Sequence, residues 1–481
     1  MQFEFDISNL ITVLPELFIL TMACVVLVLD LFLKESYRVV SYGLAQITLL
    51  LAIPLTLLVG GGATQVAFDG SYVRDAMGDL LKIGVYVVSI GAFLYAKQYL
   101  RDRNLFKGEY YVLGLFAILG MMVMISAGSF LSAYLGLELL SLSLYALVAF
   151  DRDSKAGSEA AMKYFVLGAI ASGMLLYGIS MLYGATGSLG FREVAQALAT
   201  TGTDNMVLVF GLVFVVIGLA FKLGAVPFHM WLPDVYHGAP TSVTLFVGSA
   251  PKLAAFALAM RLLVDGMNPL QADWQGMLVI LAVLSMAIGN IVAIAQSNIK
   301  RMLAYSTISH VGFILIGILA GTDKGYTAAM FYTIIYALMA LGSFGIVILL
   351  SRKGFEAEQL DDYKGLNERS PWYAAMMLLL MFSMAGVPPT VGFFAKLFVL
   401  DAVIQVDMVW LALVGVFFSI IGAFYYIRIV KLMYFDKPVD DAPLAAVGVD
   451  THVILTLNGV AMLLLGMFPA PLFDLCRAAF G

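Results

Sequence analysis

The stretch Met206–Tyr236 reads MVLVFGLVFVVIGLAFKLGAVPFHMWLPDVY. It begins as an apolar helix, then carries Lys222 about sixteen residues in, where a bilayer is driest. Five residues later comes Pro227, which has no N–H, so the carbonyl of Leu223 loses its helical partner. Gly224 removes a side chain beside the same point. A lysine next to a broken backbone at membrane depth is tolerated only inside protein or against internal water. The rest of the chain is read as the scaffold that encloses this point and joins it to others.

Composition supports that reading. The 481 residues are 62% hydrophobic and 12% charged, with mean hydropathy +0.96. Apolar runs of about twenty residues recur throughout, each long enough to cross a hydrocarbon core of roughly 30 Å. An all-α polytopic membrane protein is expected, and a soluble oxidoreductase is excluded. Cys24 and Cys476 lie at opposite ends, so haem or iron–sulfur ligation has no basis here. No P-loop and no plausible dinucleotide domain is present. No basic region and cleavage site precede Leu10–Leu33, which is expected as a retained first span.

Fourteen spans are expected, at approximately 9–33, 39–60, 79–100, 109–127, 130–150, 159–184, 206–236, 240–264, 274–296, 301–320, 326–350, 372–404, 409–433 and 452–473. The seventh and twelfth are overlong and contain internal prolines. Of the 27 basic residues, seventeen fall on odd-numbered loops and six, among them Arg74, Lys82 and Arg261, on the even side. The positive-inside rule therefore places the odd loops in the cytoplasm and both termini outside. Lys163, Lys222, Lys252 and Lys396 remain within spans, as does the acid Glu138. Such charges are expensive unless they face a cavity, a partner or water.

Span seven carries GAVPFHMWL around Pro227, and span twelve carries AGVPPTVGFFAKL around Pro388 and Pro389. Two five-helix units follow from this, spans four to eight and nine to thirteen, the second inserted upside down. The corresponding divisions are 1–108, a three-helix segment; 109–264, the first unit; 265–433, the second; and 434–481, a C-terminal helix. Lys222 precedes its break and Lys396 follows its own, so the match is not residue for residue.

Desolvation penalises an ammonium and a nearby carboxylate favours it, so a lysine in a partly hydrated interior can hold a proton in transit. Glu138 is a candidate partner for Lys222. Lys252, in SAPKLAAF with Ser249 and Pro251 loosening its helix, is a candidate next acceptor. His310, in LAYSTISHVGF, could bridge towards Lys396. Each has a purely structural alternative: a salt bridge for the lysines and Glu138, a satisfied core imidazole for His310. Lys163 sits one turn after Glu159 and could snorkel to the cytoplasmic interface. His229 and His237 read as packing at least as readily as relay groups, and the methionines as packing.

LSAYLGLELLSLSLYAL around Glu138, FKLGAVPFHMWLPDVYHGAPTSV around Lys222, SAPKLAAF around Lys252 and SNIKRMLAYSTISHVG together resemble the proton-conducting antiporter-like family. Its members include membrane-arm subunits of respiratory complex I and large subunits of multisubunit sodium/proton antiporters. The resemblance covers roughly Leu10 to Leu472. It is closest to the bacterial complex I branch that stops near the fourteenth span, lacks a long lateral helix and has lysine at position 396. It implies that Glu138 modulates Lys222, that Lys252 relays, that Lys396 is the terminal lysine, and that Lys163 and His310 take supporting places in proton transfer. It also implies inner-membrane partners, namely neighbouring antiporter-like and small membrane subunits, with no nucleic acid. NADH, FMN, iron–sulfur clusters and quinone would belong to other subunits, with no cofactor in this chain. The competing readings are a subunit of a cation/proton antiporter and a non-transporting scaffold.

Overall fold

In a computed structural model, which describes residues 7–60, 64–201, 205–438 and 448–480, twelve helices are long and apolar enough to cross a membrane. Two expected spans fall outside that count for separate reasons. Leu14–Asp30 has 17 residues. The expected span 372–404 is divided into Pro371–Ala385 and Val391–Gln405 by an unwound segment.

Local chemistry sets the helix ends. The Asp75 carboxylate accepts from Gly78 N at 2.8 Å and starts Ala76–Asp102. Ser129 and Ser132 form a reciprocal cap on Phe130–Val148. The turn between Gly108–Ile125 and Phe130–Val148 is only four residues long. It is covered by a hairpin, Gln65–Ala67 with Tyr72–Arg74, which bonds it through Val73 N to Ser126 O at 2.8 Å. Asp69-Gly70 is a hairpin signal that counting apolar runs passed over.

The core lies along three central helices. In the apolar windows of Thr241–Asp265, Ile299–Leu319 and Asp323–Leu350, burial is 100%, 94% and 89%. The outer helices Lys155–Thr186 and Val409–Phe435 are only 33% buried there, and expose Ile170, Tyr177, Phe417 and Ile420 to the surroundings. Two helix crossings repeat in form. A Cβ on Gly120 would lie 2.5 Å from Leu140 N, and one on Gly289 would lie 2.6 Å from Ser309 N. Both first crossings of the expected units therefore bring backbones into contact.

Three residues assigned from the sequence to the even-side loops are buried. Lys82 pairs with Glu16 at 2.5 Å and with the Tyr72 hydroxyl at 2.9 Å. Arg261 pairs with Asp75 at 2.7 Å and Asp265 at 2.9 Å. Arg74 bonds Asp79 at 3.1 Å. The physical reason is proximity to span ends, where a basic side chain can turn inward to a carboxylate as readily as outward. Glu16→Ala is expected to strand the Lys82 ammonium and cost about 3 to 5 kcal/mol. The measurement is the amount of assembled subunit in detergent-extracted membranes. Glu16→Leu with Lys82→Met should recover most of it.

Candidate functional site

The Met206–Leu223 helix ends at Gly224, whose φ of 84° is a left-handed cap that glycine adopts without strain. Gly224 N and Ala225 N fold back onto Ala220 O at 2.9 and 2.8 Å. Pro227 then supplies no donor, and the freed Leu223 carbonyl accepts from Lys252 Nζ at 3.2 Å. Lys252 reaches it because its own helix is interrupted at Ser249, where φ is −114° and ψ −87°. The unwound segment is held from the other side by Val226 N donating to Ser285 Oγ at 2.9 Å.

The second break repeats this solution. Pro371–Ala385 ends at Gly386, φ 83°, and Gly386 N and Val387 N fold back onto Phe382 O at 3.0 and 2.9 Å. Pro389 frees the Ala385 carbonyl, and Lys396 Nζ donates to it at 2.8 Å and to Ser419 Oγ at 2.8 Å. Matching the caps pairs Gly224 with Gly386, Leu223 with Ala385 and Pro227 with Pro389. An alignment on the Val-Pro steps would pair Pro227 with Pro388 and is one residue out of register. By function at the break, Lys396 corresponds to Lys252 and not to Lys222.

Lys222 and Lys252 are buried and close enough to interact electrostatically. Lys222 Nζ donates to Ser141 Oγ at 3.3 Å. Glu138, partly exposed, accepts from the Ser172 hydroxyl, which also bonds the Tyr134 hydroxyl at 3.2 Å. Among the described residues no ion pair within 4 Å joins Glu138 to Lys222; both instead line a cavity of about 20 Å³, enough for about one water molecule.

His310 is buried on the central Ile299–Leu319 helix. Its Nδ1 lies 2.8 Å from the Tyr332 hydroxyl and its Nε2 3.1 Å from the Tyr426 hydroxyl. Tyr426 continues to Ser306 Oγ at 2.5 Å. Tyr336 donates to Thr307 Oγ1 at 2.7 Å, and Tyr236 of the first broken helix approaches the same hydroxyl. An imidazole between two phenols can accept at one nitrogen and donate at the other, the arrangement a proton relay requires. Lys396 lies within electrostatic reach of His310 and 5.3 Å from the Phe313 ring centroid.

Lys163 stands apart from this interior. Its side chain is 44% exposed and pairs with Glu159 and Asp234, each at 2.8 Å. Asp234 also pairs with Arg301 at 2.8 Å. His237 lies near them, 3.8 Å from Glu358. The tyrosines around His310 escaped the sequence reading, since tyrosine is ordinary in membrane helices. Their signal was the Tyr332–Tyr336 spacing of one helical turn facing a Ser-Thr-His cluster. Lys300, read as a loop residue, is buried and donates to Ala239 O at 2.8 Å. Among the described residues no cluster of His, Cys, Asp and Glu could hold a metal ion.

Comparison with known proteins agrees with the motif resemblance. The profile of the family described as "NADH:quinone oxidoreductase/Mrp antiporter, TM" matches residues 127–422. NADH-quinone oxidoreductase subunit N of Thioalkalivibrio sulfidiphilus is 64% identical over 99% of this chain and 99% of its own length. The subunit N of Thiobacillus denitrificans is 58% identical over 100% of this chain and 99% of its own. Among solved structures, a chain of respiratory complex I from Thermus thermophilus is 28% identical, with TM-score 0.82, covering 97% of this chain and 100% of that one. A chain of the Mrp complex of Dietzia shares the fold, with TM-score 0.85 and 20% identity over 99% of this chain and 97% of that one.

Proposed function

Since this chain belongs to the NADH:quinone oxidoreductase/Mrp antiporter family, on the branch of the N subunits of NADH-quinone oxidoreductase, we propose that it is a proton-translocating membrane subunit of that complex. Electron transfer from NADH to quinone takes place in other subunits, which carry the FMN and iron–sulfur clusters. This chain contributes no redox chemistry and acts as part of a translocase. It sits in the bacterial inner membrane against neighbouring antiporter-like and small membrane subunits, with both termini periplasmic. The 109–264 and 265–433 units are an inverted pair around one broken helix each.

The observation that carries this reading is the paired break. Each freed carbonyl, on Leu223 and on Ala385, is met by a lysine ammonium drawn from membrane depth. A scaffold would gain nothing from two open helices that each require a buried charge to close them. In the proposed path, Glu138 tunes Lys222 through the intervening cavity, Lys222 hands the proton to Lys252, His310 and its tyrosines bridge the units, and Lys396 is the last interior site. Lys163 serves at the cytoplasmic surface. The test is Glu138→Ala and Lys222→Ala in the assembled complex, with pumping measured as NADH reduces quinone. Each variant is expected to pump about half as many protons per NADH or fewer. Undiminished transfer in both would overturn the assigned roles.

A further inference from the structure

We propose that the stacked rings of Tyr164 and Trp231 form a valve between a cytoplasm-facing proton-collecting pocket and the Glu138–Lys222 chamber. The outer pocket, about 180 Å³, is lined by Glu159, Lys163, Asp234 and His237. Two carboxylates and an imidazole at an open surface exchange protons with water rapidly. The inner cavity is lined by Glu138, Ser141, Tyr164 and Lys222.

One wall is shared. On the Lys155–Thr186 helix, Ala160 and Lys163 line the outer pocket, while Tyr164 and Gly168 line the inner cavity about one turn further in. Opposite, Trp231 begins the Trp231–Gly238 helix, whose Asp234 and His237 line the outer pocket. The Tyr164 ring, in the wall of the inner cavity, lies parallel to the Trp231 ring at the start of the helix that carries the outer pocket's Asp234 and His237, with centroids 4.5 Å apart, planes 8° apart and each residue about 2% exposed. Tyr145 packs edge-on to Tyr164 at 4.6 Å. Two aromatic faces in contact leave no room for a chain of waters.

Trp231 is also wired to the interior sites. Its indole N–H donates to Phe221 O at 3.0 Å, the carbonyl beside Lys222. The Lys252 ammonium stands 5.8 Å from its ring centroid, within cation–π range. A charged Lys252 adds to the hydrogen bond and the Tyr164 stack that hold the indole, and a neutral Lys252 removes that contribution and loosens the ring. Intake is then permitted when Lys252 is empty and blocked when it is loaded. The step moves a proton and breaks no other bond: it passes from the His237–Asp234 pocket to the Glu138–Lys222 pair.

The valve rests on the proton-translocation reading, and one set of measurements separates the two. Inside-out vesicles holding the whole complex are given an imposed pH gradient without NADH, and the passive decay is followed with an internal pH dye. Trp231→Ala is expected to raise the leak about fivefold and to lower the protons stored per NADH oxidised. Tyr164→Leu should act in the same direction and supplies a second route if the first variant assembles poorly. Adding Lys222→Ala should return the leak to the wild-type rate. A wild-type leak in an assembled variant, or a leak that persists without Lys222, overturns the valve. Unchanged NADH-driven pumping in both Glu138→Ala and Lys222→Ala overturns the translocation roles instead.

Discussion

Lys252→Gln is expected to assemble normally and yet lose NADH-driven proton pumping by about tenfold or more. The glutamine amide can still donate to the Leu223 carbonyl that Lys252 Nζ meets at 3.2 Å. The break would stay closed, but the group at its edge could no longer gain and lose a proton. Lys252→Met removes both functions. It leaves the Leu223 carbonyl without its partner in a dry interior, at a cost of about 1 to 3 kcal/mol, and less assembled complex should be recovered. Pumping should be equally low in the two variants, because it depends on the titrating nitrogen and not on the hydrogen bond. The readouts are the yield of intact complex and the protons moved per NADH oxidised. If Lys252→Gln pumps as the wild type does, the lysine is a structural clasp and nothing more. Lys396, donating to Ala385 O at 2.8 Å, is open to the same division of roles.

How much of this was legible in the sequence depends on the distance over which the information acts. The break at Pro227 was written locally, since a missing N–H frees a named carbonyl whatever surrounds it. The identity of the group that would meet that carbonyl was not, because Lys252 arrives from another helix. The sequence offered Lys252, mid-span in SAPKLAAF, as a candidate next proton acceptor, and the fold adds that it is the break's hydrogen-bond partner. The register of the two breaks was left open by the sequence for a related reason. Val-Pro is the visible string, whereas the geometry is set by the left-handed glycine and by the proline three residues after it. Glu138 and Lys222 were paired from the sequence, and the fold separates them by a cavity of about 20 Å³. Lys82, Arg261 and Lys300 were assigned to loops, because within a turn of a span end composition alone cannot say whether a cation turns to water or to a buried carboxylate or carbonyl. Lys163 shows the other outcome: its side chain is exposed and paired with Glu159 and Asp234.

His310 poses the second large test, because its two ring nitrogens are both engaged. With Tyr332 at 2.8 Å on Nδ1 and Tyr426 at 3.1 Å on Nε2, a neutral imidazole satisfies both hydroxyls by accepting from one and donating to the other. His310→Phe strands the buried Tyr332 hydroxyl, at about 1 to 3 kcal/mol, and leaves Tyr426 with its Ser306 partner alone, so assembly itself should suffer. The triple change His310→Phe, Tyr332→Phe and Tyr426→Phe removes donors and acceptors together, and stability should return towards the wild type. Pumping should not return with it, falling about tenfold or more, because the imidazole and the two hydroxyls bonded to its ring nitrogens would be gone. A core histidine kept only for its hydrogen bonds predicts the reverse for the triple variant: stability and pumping recover together. Thermal unfolding of the purified complex and proton uptake by vesicles, measured on the same preparations, separate a relay from a packing element.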